Sequence, residues 1–144
     1  MTEHFDLGRF TDAQEQVYER VLAELSAGRK TSHWMWFIFP QLRGIGSSAT
    51  ALHFGITSIG EARAYLAHPV LGARLRECTQ LINAISGRSI EQIFGYPDDL
   101  KFRSSMTLFR HAAQDDGSAA GQFALALEKF FQGEEDSLTR ELLS

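Results

Sequence analysis

Lys30, Ser32, His33, Gln41 and Arg43 frame the most aromatic stretch of the chain, "KTSHWMWFIFPQLRG". Trp34 or Trp36 could stack a planar ring, an interaction worth about 1–3 kcal/mol per nucleic-acid base. Gln41 could read the polar edge of such a ring, and Lys30 or Arg43 could hold an anion. On a helix starting after Ser32, His33, Trp36, Phe37 and Pro40 share one face, and Trp34, Ile38 and Gln41 share another. An apolar wall with a few converging polar groups is the composition of a small-molecule pocket. The competing reading makes both tryptophans core residues whose indole N–H groups find partners inside the fold. Composition alone favours the core reading.

A second segment, "DDLKFRSSMTLF", carries related chemistry. Lys101, Ser104 and Ser105 lie within one helical turn of each other, and Asp98 precedes Lys101 at a spacing that allows an ion pair. A helix start bearing Lys, Arg and hydroxyls suits a phosphate or carboxylate. Adjacent serines are poor helix formers, so tight helix packing or a ligand must account for them. If the protein is an enzyme, His33 is the first candidate for proton transfer, because imidazole titrates near neutrality. Asp98, or its neighbour Asp99, is the second, as a base acting on water or a ribose hydroxyl.

The remaining motifs are silent. The histidines His4, His33, His53, His68 and His111 form no metal-binding spacing, and Cys78 alone can make neither an intrachain disulfide nor a cysteine zinc site. "RGIGSS" lacks the spacing of a phosphate loop. No metal or cofactor is therefore expected. The chain has 144 residues, 44% of them hydrophobic, which is enough for one packed domain spanning 1–144. Its net charge of −4 argues against general nucleic-acid binding. No apolar run is long enough for a membrane helix, and the N-terminus does not read as a secretion signal, so a cytoplasmic protein is expected.

The elements that must position these residues are helical. "TDAQEQVYERVLAELSAG" places Val17, Tyr18, Val21, Leu22 and Leu25 on one stripe, with Thr11 and Gln14 as a capping box and Gly28 past the end. The aromatic stretch reads as a short buried helix capped by Ser32 and stopped by Pro40. "SATALHFGI" makes another short helix. Ser58 and Glu61 form a capping box, and Pro69 opens a helix whose stripe includes Val70, Leu71, Leu75, Cys78 and Ile82. "SIEQIFG" is a capped turn of helix, and Pro97 begins the helix of Asp98 to Ala113. A polar turn, "QDDGS", separates it from a phenylalanine-rich helix and a short tail helix. The pattern predicts an all-α, compact, single-domain multihelical bundle of about six to eight helices.

Taken together, "RFTDAQEQVYERVLAEL", "GRKTSHWMWFIFPQLRGIGSS", "EARAYLAHPVLGARLRECT" and "IFGYPDDLKFRSSMTLF" resemble the bacterial and fungal domain of unknown function numbered 1810. The resemblance covers nearly the whole chain, with Phe54 standing where a tyrosine is common. It implies a compact multihelical protein and brings no settled activity. Some members bear a calpastatin-like label, and a place in NAD and ADP-ribose metabolism has been suggested for the family. The expectation is a pocket where the Trp34–Arg43 element meets the Lys101–Thr107 turn, taking a nucleotide-like or ADP-ribose-like anion. The alternative is a non-catalytic protein-interaction or regulatory module whose aromatic segment is core or interface.

Overall fold

The computed structural model describes residues 5–113 and 117–144, with backbone alone for 117–120. Its elements are α1 (Gly8–Glu15), α2 (Tyr18–Ser26), α3 (Met35–Ile38), α4 (Ala49–Phe54), α5 (Ile59–Ala67), α6 (Leu71–Asn83), α7 (Ile90–Phe94), α8 (Asp98–Ala112), α9 (Gly117–Phe131) and α10 (Ser137–Leu143). The fold is all-α. Among the described residues the one extended pairing is an isolated parallel bridge between Leu42 and Ile56. The helix count exceeds expectation because several predicted helices are short or divided. The part of the expected polar turn at 114–116 lies outside the described residues, and Gly117 and Ser118 belong to α9.

α8 is the central element. It packs against α9, α5, α7 and α10, while α6 packs against α9, α5 and α2. Its buried residues run nearly all round, from Phe102 through Met106, Leu108 and Phe109 to Ala112, as expected of a helix enclosed by neighbours. An aromatic cluster fills the core beside it. Phe39 meets Phe102 edge-on at 5.0 Å between ring centroids, and Trp34 lies 6.2 Å from both Phe39 and Phe94.

Three local departures from the sequence pattern have physical causes. The predicted first helix is two, broken at Gln16–Val17, because α1 packs on α3 while α2 packs on α6. A single straight rod could not face both. The predicted Thr11–Gln14 capping box is absent: Thr11 lies inside α1 and donates to the Gly8 carbonyl, and Gln14 is buried with its amide donating to the Phe37 carbonyl and the Tyr65 hydroxyl. Pro69 precedes α6, which starts at Leu71, since the His68 Nδ1 accepts from the Val70 and Leu71 N–H groups and caps the helix.

Elsewhere serines cap the helices, although the predicted Ser58–Glu61 box is one-sided, because the Glu61 carboxylate accepts from Thr57 instead of the Ser58 N–H. Ser89 and Gln92 form a reciprocal capping box on α7, and Ser48 and Ser58 each accept from the third residue onward. The tightest junction is α5 to α6. A Cβ placed on Gly72 would lie 2.1 Å from the Leu66 carbonyl oxygen, a backbone atom that cannot swing aside. Gly72→Ala is therefore expected to destabilise the protein by about 1–3 kcal/mol through forced separation of the two helices. Chemical denaturation would check this, and an unchanged midpoint would refute it.

Candidate functional site

Glu24 builds the platform of the site. It projects from α2 next to Val21 and Leu25, and it is only 8% exposed. Its carboxylate accepts from the Thr31 N–H (2.7 Å), the Ser32 N–H (3.1 Å), the Ser32 hydroxyl and the Trp34 indole N–H (2.9 Å). Ser32 is thus drawn to α2 and does not cap α3, whose N-cap is Trp34. Burial alone would push the Glu24 carboxyl up. The hydrogen bonds from Ser32, Thr31 and Trp34 outweigh it and hold the group down at about 2.

From this platform the chain carries Lys30 to α8. The Lys30 N–H donates to the Ile93 carbonyl (2.7 Å), and its ammonium reaches Asp98 at 2.8 Å with 7% side-chain exposure. Lys101 reaches the other oxygen of Asp98 at 3.2 Å. Each lysine also faces an indole: Lys30 stands 5.2 Å from the Trp34 ring centroid and Lys101 4.2 Å from that of Trp36. A cation over an indole is attracted by the negative face of the ring. Lys30, Trp34, Trp36, Asp98 and Lys101 therefore meet at one junction, with Ser32 joined to it through Glu24.

The tryptophans divide the two roles that the sequence offered. Trp34 is core, 1% exposed, and its indole N–H is satisfied by a side chain. Trp36 is half-buried and His33 is exposed. Ser104 and Ser105 are buried within α8, 3% and 0% exposed. The Ser104 hydroxyl donates back to the Leu100 carbonyl at 3.2 Å, whereas the Ser105 hydroxyl has no partner among the described residues. Gln41 is half-buried, and its carbonyl accepts from the Ile56 N–H at 2.9 Å.

Arg43 goes elsewhere. It lines an open cleft of about 470 Å3 shared with Arg9, His53, Thr57 and Glu61. Two other clefts lie at the α8–α10 contact, around Arg103, Arg110 and Arg140, and between the α6–α7 loop and the end of α9. None of these three is lined by Trp34 or Trp36. Among the described residues no group of three or more His, Cys, Asp or Glu side chains could hold a metal ion. Cys78 is buried, and burial pushes its thiol up to about 12, which makes it a poor nucleophile.

Residues 4–143 match the family described as protein of unknown function DUF1810. The chain belongs to the DUF1810 family. This DUF1810 protein is also similar to the conserved hypothetical protein Rv1873 from Mycobacterium tuberculosis, known from a crystal structure. The two share 57% sequence identity over 96% of each chain, with a TM-score of 0.93. No curated protein matches the chain. No helix among the described residues of this DUF1810 protein is long and apolar enough to cross a membrane.

Two features lie outside the sequence reading, one at the junction and one away from it. Glu24 carried a signal, an acid on the apolar stripe of α2 between Val21 and Leu25, where an unpaired charge would be costly. The cleft around Arg9 and His53 carried none, because it joins α1 to α4 and α5 across residues distant in sequence.

Proposed function

We propose that the Lys30–Asp98–Lys101 junction binds an anionic, ring-bearing small molecule of the nucleotide or ADP-ribose kind, with Trp36 as the stacking surface. The observation that carries this reading is the position of the Lys101 ammonium, 4.2 Å from the Trp36 ring centroid and 3.2 Å from Asp98. Two ammonium groups share the Asp98 carboxylate, so Lys101 can turn to a bound anion while Lys30 keeps Asp98 paired. A phosphate competes with Asp98 for Lys101, and drawing the ammonium off the indole frees the face of Trp36 for a planar ring. Asp98 then acts as the lysines' resting partner, and exposed His33, next to Trp34 in the sequence, is the candidate proton carrier for a reaction of the bound molecule.

The test is thermal unfolding with ADP-ribose, NAD and AMP as separate probes. A ligand at a hundredfold excess over its Kd adds about 2.7 kcal/mol, which at about 2–4 °C per kcal/mol raises Tm by roughly 5–10 °C. Lys101→Ala is expected to abolish the shift with little change in the unliganded Tm. Emission from half-buried Trp36 should be quenched on binding and should lose that response in Trp36→Phe. An equal shift in Lys101→Ala, or none in the wild type with any of the three probes, sinks the reading.

A non-catalytic interaction module is the second reading. It is favoured by Tyr96 and Leu100, 75% and 44% exposed, on either side of Asp98. Under it, sedimentation would show a mass that rises with concentration and falls back in Tyr96→Ser.

A further inference from the structure

The cleft that receives Arg43 is built more carefully than an incidental surface groove. It opens between the start of α1, helix α4 and the start of α5, and its volume of about 470 Å3 suits a small molecule. Its floor is an ion pair between Arg9 and Glu61 at 3.0 Å, with side chains 9% and 2% exposed. Arg9 also donates to the carbonyls of His53 (2.8 Å), Gly55 (3.0 Å) and Asp6. The remaining oxygen of Glu61 accepts from the N–H and hydroxyl of Thr57, at 2.7 and 3.1 Å. The floor is thus neutral and satisfied from within.

Arg43 and His53 stand on that floor, both exposed, and neither makes an ion pair among the described residues. Arg43 is nevertheless held in place. Its N–H donates to the Ile56 carbonyl (2.7 Å) at the isolated bridge, and its Nη2 donates to the Leu52 carbonyl (2.7 Å). Gly55 makes the approach possible, because a Cβ there would sit 2.8 Å from the Arg43 Cβ and 2.9 Å from its Cα. An exposed arginine ordinarily gains little from being fixed, since ordering its long side chain costs entropy. A guanidinium held by one terminal nitrogen keeps its other N–H donors free in a rigid fork, and that geometry matches the oxygens of a carboxylate or phosphate. We propose that this cleft is an anion site in which Arg43 and His53 hold a small oxyanion, carboxylate or phosphate, above the Arg9–Glu61 floor. It is separate from the Trp36 junction. Asp6 at its rim opposes the anion and limits the charge the site accepts.

Nuclear magnetic resonance titration of the labelled protein at fixed ionic strength tests this, with inorganic phosphate and acetate as separate probes. Saturable shifts are expected at the Arg43 Nε–H, the His53 ring and Thr57. Saturation with phosphate alone identifies a phosphate site, with acetate alone a carboxylate site, and with both a general oxyanion site. Arg43→Ala should weaken binding about tenfold or more, and Arg43→Lys should recover only part of the loss because it restores charge without the fork. Asp6→Asn should tighten binding, and Lys101→Ala should leave it unchanged, which separates this site from the junction. If Arg43→Ala does not fold, His53→Ala at an exposed position reads the same loss. Shifts that stay linear with both anions, or wild-type affinity retained in both Arg43→Ala and His53→Ala, overturn the proposal.

Discussion

Glu24→Ala is expected to lower the unfolding free energy by about 3–5 kcal/mol, on the scale of breaking a buried charged network. The substitution strands the buried Trp34 indole N–H and takes the acceptor from the N–H groups of half-buried Ser32 and exposed Thr31, which water can reach. Buried donors without acceptors cost about 1–3 kcal/mol each, and the indole, in a side chain 1% exposed, cannot turn to water. The same carboxylate sets an acid dependence. Its folded value, about 2, lies below the ordinary 4.5, so the stability it adds is complete above pH 4.5 and is lost as pH falls through about 2. That contribution is roughly 3 kcal/mol. Glu24→Gln should be less stable than the wild type at pH 7 and should show a flatter profile between pH 4.5 and 2. Denaturant titrations at several pH values measure both effects. A Glu24→Ala protein within 1 kcal/mol of the wild type at pH 7 would show that the network is incidental.

The contrast between what could and could not be read from the chain follows the range of the interactions. Caps and stripes act within a few residues, so the capped turn "SIEQIFG", the helix end at Gly28, and the buried set Leu71, Leu75, Cys78 and Ile82 follow from local sequence, whereas Val70, expected on the same stripe, is exposed. The aromatic stretch is unusual in composition, yet nothing within it decides which indole lies inside. That choice belongs to Glu24, an α2 side chain that captures Trp34 and leaves Trp36 toward Lys101. The Asp98–Lys101 contact was legible as a local spacing, whereas the Lys30–Asp98 contact depends on α7 anchoring the Lys30 backbone. Arg43 follows the tryptophans closely in sequence, which suggests a shared site. The bridge to Ile56 turns the chain away after Pro40 and delivers the guanidinium to another cleft. Sequence neighbours became spatial strangers at that bridge.

Glu61→Ala is the second substitution expected to have a large effect, again about 3–5 kcal/mol, because it leaves Arg9 charged and largely buried with no counter-charge. At about 2–4 °C per kcal/mol this lowers Tm by roughly 6–20 °C. The ion pair is not expected to be worth that much itself. Taking two charges out of water offsets most of their attraction, so the double variant Arg9→Met with Glu61→Leu should recover most of the lost stability. The two experiments together separate a stranded charge from a merely missing contact, since lost packing would make the double variant worse than the single one. Binding should move the other way. With Glu61 gone the cleft floor gains a positive charge beneath Arg43 and His53, so phosphate or acetate should bind more tightly to Glu61→Ala than to the wild type. Calorimetric titration below the lowered Tm reads this directly. A Tm within 2 °C of the wild type in Glu61→Ala would show that Arg9 is held by the carbonyls of His53, Gly55 and Asp6 alone.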